Sequence, residues 1–486
     1  MMLLLSKFTP REENTTMKYD LQALDAALAK RIEEKKLPGV TVSIRGPEGV
    51  IFEKGYGFGD EGGKVPMNEH TIMGIASMSK STVTLALCIL AAEGKFDWND
   101  PVTKYFPNFE MKGSPKDAVT CHHLACHTAG IPPMEPLEWS IALNTPGRSG
   151  EWVEAMKATA PNQMNTIEQI IDYISEGKYQ TLGGPGEYMS YSNEGYAILC
   201  YIFDKAAGVP LEQFLTERVF KPMGMFRTVL DEDCSEAKKL AADGNITRLW
   251  ERDEDGNFSL DDCWGILPPF RSCACVKSTA HDFARYYQCL SNHGVIDGVQ
   301  AIPAAAADMM CGPQFPLTEK PYYCYGLNKR LWHGHVICEH SGGLHGVSTH
   351  GCYLQGENYS YVAFCNEGDQ DTDDLCWMMG NMLMGRPLDE KQVWLKASGK
   401  EFSQPEMLVG TYTCHEGIPV NFEVFVEGGK LQVKRPLGVY DLVHCGETWF
   451  LIYNKKGERC GRCHFWVRDG KAWGVQVYTR VYQRAE

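Results

Sequence analysis

No apolar run in the 486-residue chain approaches the roughly 18 residues that a membrane-spanning helix needs. The longest candidate, around 83–92, is too short. The N-terminal stretch is not expected to act as an export signal either. MMLLLSKFTPREENTTMKYD opens on a short apolar start with no basic stretch before it and acidic residues soon after. A signal peptide wants about 7–15 apolar residues. Residues 1–16 are therefore expected to be a disordered leader, with Met17 a candidate true start, and the protein is expected in the cytoplasm. Positive charge is also short: 47 Lys and Arg against 62 Asp and Glu leave a net charge of −15. That balance argues against nucleic acid or an anionic membrane surface as the main partner. Internal repeats and low-complexity tracts are absent.

What is present describes a globular protein, with 44% apolar and 22% charged residues. The length allows two to four domains, at least one with a sizeable core. Nineteen cysteines is a high and odd number. Without an export signal they are expected as reduced thiols, many buried as small hydrophobes. Such usage suits an anaerobic or strongly reducing cytosol.

Leu21, Leu24, Leu28 and Ile32 recur at helical spacing, so an amphipathic helix is expected over 20–36. GVTVSI, the turn GPEG and VIFEKGYG read as a hairpin. An apolar helix follows over 74–92, and from about 97 to 290 the chain reads as mostly helical with loops. Strands return with HGVSTHGCYL, QGEN and YSYVAFCN, before a closing helix in DTDDLCWMMGNMLM. That order fits an α+β domain over 17–387: an antiparallel sheet flanked by helices beside an all-helical lobe, with a cleft between them. Residues 388–404 read as a linker. Over 405–486, short alternating strands with Gly-rich turns suggest a small antiparallel barrel or sandwich.

Three motifs carry chemistry. Ser77 lies three residues before Lys80 in GIASMSKSTVTLALCIL, so on a helix their Cβ atoms would be roughly 5–6 Å apart. The same spacing at Ser175–Lys178 and Ser235–Lys238 sits in polar, solvated contexts. Ser77 stands at the mouth of an apolar helix, where free N–H groups and the macrodipole favour developing negative charge. It reads either as an N-cap or as a nucleophile. Lys80 favours the second reading, because burial at that mouth would lower its pKa from about 10.4. The second motif is Tyr191-Ser192-Asn193, in a polar loop before an apolar helix. It is either a capping pair with a packing tyrosine, or a phenol that relays a proton with Asn193 ordering the lysine. The third is His340-Ser341-Gly342-Gly343, on an apparent edge strand whose glycines allow close backbone approach by a ligand. His-x-Gly also occurs at His415-Glu416-Gly417, so that pattern alone proves nothing.

Taken in order, the three elements resemble the serine β-lactamase and penicillin-binding-protein-like superfamily, whose hallmark is Ser-x-x-Lys, Tyr-x-Asn and then Lys-Thr-Gly or His-x-Gly. The nearest branch is that of class C β-lactamases, D-aminopeptidases, D-alanyl carboxypeptidases and esterases of the β-lactamase fold. The resemblance covers roughly 20–385 and extends to GKFDWNDPVTKYFPNF, CHHLACHTAGIP, LEQFLTERVFKPMGM and STAHDFARY. The trailing barrel resembles the lipocalin-like C-terminal domains of some members. The resemblance implies that Ser77 is acylated, that Lys80 and Tyr191 form a coupled general base, and that Asn193 orders them. It implies an oxyanion hole from the backbone N–H groups of Ser77 and Gly343, and substrate contacts from Ser341, Gly342 and Gly343. His340 would take the place of the Lys-Thr-Gly lysine.

Two departures bear on substrate. An ordinary histidine is charged only near or below pH 6.5, whereas the family's lysine helps bind a substrate carboxylate. This favours small esters, amides or D-amino-acid derivatives over β-lactams. The family's Gly-Gly before STA is replaced by RSCACVKSTAHD, which implies a remodelled cleft wall. Two decoys are set aside: Cys121, His122, His123, Cys126 and His127 as metal ligands, and CGRCH (460–464) as a haem or zinc motif. No metal or cofactor is expected. The expected activity is a serine acyl-enzyme hydrolase. Acyl transfer onto a small hydroxyl or amine is one alternative, and a β-lactamase or a penicillin-binding sensor that stays acylated is another. The barrel is expected to narrow substrate choice, its removal altering the substrate profile rather than abolishing acylation. The expected partner is a small acyl substrate, with oligomeric state open.

Overall fold

The computed structural model describes residues 19–485 except 61, 253–255, 262–263, 313–321, 369, 371 and 394. The expected leader and Met17 lie outside them. The first helix, Leu21–Lys35, begins where the Asp20 carboxylate accepts the Ala23 N–H at 2.9 Å. It ends at Lys36, whose φ of 54° places it in the left-handed region, two residues before Pro38. Leu24, Leu28 and Ile32 bury the face read from the sequence.

The helix packs on a seven-stranded antiparallel sheet. Its spatial order is Tyr322–Tyr323, Asn328–Trp332, His335–Leu344, Val347–Leu354, Tyr359–Cys365, Gly39–Gly46 and Gly49–Gly57. The Gly39–Gly46 strand is buried on both faces, each for a different reason. Val40, Val42 and Ile44 join Leu24 and Leu28 and the closing helix Asp373–Leu383 in one apolar cluster. Alternate residues point the other way. There Ser43 donates to Glu53 at 2.8 Å, and Arg45 donates to Gln288 at 2.7 Å from the helix Ala280–Ser291. Helices thus cover both faces.

Beside the sheet lies the helical lobe, with the helix Lys80–Ala92 running through its core. Every residue from Lys80 to Leu90 is buried, the mark of a central helix. The expected helical stretch also holds short strand pairs, Leu249–Arg252 with Phe258–Asp261 among them. At the C-terminal end, eight strands from Gly410–Cys414 to Arg480–Arg484 pair in sequence order. Tyr412 opposite Arg484 closes them into a barrel. Closure removes the exposed edges a small sheet would leave. Tyr412, Phe422, Phe450 and Phe465 fill the interior, as eight strands leave little more room than side chains need. Every described cysteine is a free thiol, nearly all buried. Among the described residues, no helix is long and apolar enough to cross a membrane.

Candidate active site

Ser77 lies in a single tight turn, Ala76–Ser79, that leads into the buried helix. Neither serine hydroxyl of the turn caps the helix, so the N-cap reading fails. The Ser79 hydroxyl instead accepts the N–H of Val276 at 3.1 Å. Ala76 has a φ of 47°, a left-handed conformation that costs a residue with a Cβ on the order of 1–3 kcal/mol. The surroundings hold it there. Ile75 donates its N–H to Val276 at 3.0 Å, and the Thr349 hydroxyl donates to the Ile75 carbonyl at 3.0 Å. The Cys-rich RSCACVK stretch, expected as a remodelled wall, is thus the backing of this turn.

Lys80 is fully buried one residue past the turn. Its Nζ donates to the Asn193 Oδ1 at 2.8 Å, and lies 3.3 Å from both the Ser77 Oγ and the Cys273 carbonyl. Three polar atoms thus surround that one nitrogen. The Tyr191 ring centroid stands 4.8 Å from the same nitrogen. Residues from the first two motifs and from the RSCACVK stretch therefore meet around one amine. Behind them is His127, set aside above as a possible ligand in CHHLACH. Its ring lies 4.2 Å from that of Tyr191, and its Nδ1 accepts the Ser192 N–H at 2.9 Å. Burial, then the nearby Lys80, push its pKa well below the usual value, so it stays neutral and braces the Tyr191–Asn193 loop.

His340 reaches the same place from the strand His335–Leu344. Its Nδ1 lies 2.5 Å from the Ser341 carbonyl and its Nε2 2.8 Å from the Tyr323 hydroxyl. These partners define a tautomer in which Nδ1–H donates and Nε2 accepts from the phenol. Burial, with Lys80 next in weight, pushes its pKa down to about 3. The ordinary titration near 6.5 expected for His340 is thereby removed. Tyr323 was not picked out in the sequence, where no pattern ties it to His340. The edge-strand expectation also needs correction. The strand is internal, but its pairing with Asn328–Trp332 stops at Glu339, so 340–344 pairs on one side only. A methyl placed on Gly342 would meet the Ile75 carbonyl oxygen at 2.3 Å and the Ser77 nitrogen at 3.0 Å. The strand backbone therefore presses on the turn that bears Ser77. Ser341 and Gly343 are exposed beside it, Gly343 facing open space.

The barrel supplies residues that the motif reading missed. The Tyr191 N–H donates to the Thr479 carbonyl at 2.8 Å, and the Val481 N–H to the Ser190 hydroxyl at 3.2 Å. Asn193 turns its amide N–H to Glu416 at 3.0 Å. Arg480 grips the same Glu416 carboxylate at 2.6 and 2.7 Å, with its guanidinium carbon 4.4 Å from the Tyr191 ring centroid. So the second His-x-Gly, His415-Glu416-Gly417, lies at the same site as the first. His415 stacks on Tyr179 at 4.3 Å. Two carboxyl groups near Glu416, those of Glu138 and Glu194, are each pushed up to about 7, chiefly by burial.

The decoys separate. His122 bonds the Tyr325 hydroxyl at 2.8 Å, and His123 closes a capping box with Thr120. In CGRCH, Cys463 packs into the barrel core and His464 stacks on Trp449 at 4.3 Å. Lys178 of the second Ser-x-x-Lys pairs with Glu135 at 2.9 Å.

An antiparallel sheet with helices on both faces, a helical lobe, and a serine, lysine, tyrosine and asparagine gathered at their junction are the arrangement of the β-lactamase fold. A sequence model of the family described as Beta-lactamase matches residues 24–377, and the chain belongs to that family. Penicillin-binding protein 4* of Bacillus subtilis (strain 168) is 25% identical over 196 residues, which are 40% of this chain and 38% of that protein. The chain thus matches about two fifths of that relative's length. Among solved structures, the octameric penicillin-binding protein homologue from Pyrococcus abyssi is similar with a TM-score of 0.65 at 21% identity, over 96% of this chain and 99% of that one. D-amino acid amidase from Ochrobactrum anthropi SV3 is similar with a TM-score of 0.55 at 20% identity, over 72% of this chain and 93% of that one. At these identities the likeness is one of fold.

Proposed function

We propose that the protein is a serine acyl-enzyme hydrolase acting on small esters, amides or D-amino-acid derivatives, with Ser77 as the acylated residue. The observation that carries this is the Lys80 Nζ, held between the Ser77 Oγ and the Asn193 Oδ1 beside the Tyr191 ring. In its free-amine form Lys80, coupled to the Tyr191 phenol, takes the proton as the Ser77 Oγ bonds to the substrate carbonyl carbon. The N–H groups of Ser77 and Gly343 receive the oxyanion. The same pair returns the proton to the leaving alcohol or amine. Water then attacks the acyl-enzyme, gives its proton to the pair, and frees the acid.

His340 supports this substrate class. A neutral imidazole whose acceptor nitrogen faces Tyr323 offers no charge to a substrate carboxylate, which favours esters and amides. The fold likeness to a D-amino acid amidase makes D-aminoacyl amides the first amides to test. Intact-mass measurement after a fluorophosphonate or β-lactam should show one adduct on the native chain and none on Ser77→Ala. Absence of an adduct with every acylating probe overturns the proposal. A panel of p-nitrophenyl esters, D-aminoacyl amides and nitrocefin then separates turnover from a sensor, which would give one equivalent of product and stop.

A further inference from the structure

On the opposite face of the strand that carries His340 lies a second group of side chains that the proposed chemistry does not use. Side chains alternate along a strand, so Glu339 points away from the candidate active site. Cys352 is its direct partner across the ladder, and His350 lies two residues before Cys352 on the same face. The three donor atoms lie within 4.8 Å of one another. Glu339 Oε2 is 3.5 Å from the Cys352 sulfur and 3.5 Å from the His350 Nε2. Donors on a tetrahedral zinc ion stand about 3.3–3.8 Å apart, given bonds of roughly 2.0–2.3 Å. The Nε2 itself is buried and makes no hydrogen bond, on a residue only 7% exposed.

We propose that Glu339, His350 and Cys352 form a binding site for one divalent transition-metal ion of the zinc class. The surroundings suit it. Asp373 pairs with the His350 Nδ1, which leaves the Nε2 lone pair for the ion and sets the ring's direction. Arg330 bonds only the Oε1 of Glu339, at 2.8 Å, so Oε2 is left to coordinate. Coordination needs the Nε2 lone pair of His350 and the thiolate of Cys352, so any proton on either leaves as the ion enters. It would tie two sheet strands together beside the closing helix, whose Cys376 thiol donates to the His350 carbonyl at 3.4 Å.

The test uses the full-length protein stripped with a chelator and titrated with Co²⁺, then Zn²⁺. One equivalent of Co²⁺ should give a thiolate-to-metal charge-transfer absorption and the intense d–d bands of a tetrahedral site, both bleached by one equivalent of Zn²⁺. Cys352→Ser should lose the charge-transfer band. Asp373→Asn, which keeps all three ligands, should weaken affinity ten- to hundredfold. Cys460→Ser, in the Cys-x-x-Cys-His of the barrel, should change nothing. A missing cobalt spectrum, a charge-transfer band that survives Cys352→Ser in folded protein, or one lost in Cys460→Ser overturns the proposal. If Cys352→Ser does not fold, the Asp373→Asn affinity decides, and an unchanged value overturns it.

Discussion

Glu194 is fully enclosed, accepts a hydrogen bond from the Ser192 hydroxyl at 2.9 Å, and has its carboxyl pushed up to about 7 from an ordinary 4.5. Burial is the main cause, with the Glu416 charge contributing. Between those two values the folded chain holds a proton that the unfolded chain has released. Stability from this group is therefore complete below about pH 4.5, falls as pH rises towards 7, and is flat above. The span corresponds to about 3 kcal/mol. Glu194→Gln removes the ionisation, so denaturant unfolding at several pH values should find the variant more stable than the native chain at pH 8. The two should converge near pH 4, and a difference independent of pH would contradict the assignment. His340 calls for a second measurement. Because its imidazole stays neutral above about pH 3, the acylation rate of His340→Asn should be lower but follow the same pH curve as the native chain. A step near pH 6.5 present only in the native profile would show that the histidine titrates after all.

At the scale of the element, two adjacent glycines make opposite predictions. An added methyl at Gly342 meets backbone at 2.3 Å and must push the strand off the turn that bears Ser77. A misplacement of about 1 Å can cost a hundredfold in rate. Gly342→Ala should therefore slow acylation by about that factor, while Gly343→Ala, with nothing within 4 Å, should slow it far less. Stopped-flow acylation with a chromogenic ester distinguishes them, and equal losses would show that the strand is not what positions the turn. The elements themselves were legible. Leu24, Leu28 and Ile32 announced the first helix, and the Gly/Pro turns announced the hairpin, because periodic burial writes itself into local sequence. The left-handed Ala76 was not legible, since its strain is held by Val276 and Thr349, both far away in the chain.

Across the whole molecule, the barrel reaches the site, as a barrel that narrows substrate choice must, and it also holds the motif residues themselves. A barrel that only narrowed substrate choice could be removed without loss of acylation. Here Thr479 takes the backbone N–H of Tyr191, and Glu416 holds the amide of Asn193. The barrel is therefore expected to support the base as well as the specificity. Glu416→Ala leaves Asn193 without that anchor and Arg480 without its carboxylate. Its acylation rate should fall about ten- to hundredfold. A change confined to KM across the substrate panel would restore the narrower role.

The sequence by itself determined the helical and strand segments, the family, and the residues Ser77, Lys80, Tyr191, Asn193 and His340, because each signal lies within a few neighbouring positions. Only the tertiary structure decided that His340 is neutral, that His127 and Tyr323 brace the site, and that Glu416 and Arg480 enter it from the barrel. Burial and charge proximity depend on residues hundreds of positions apart, and local spacing carries no record of which distant groups fold against one another.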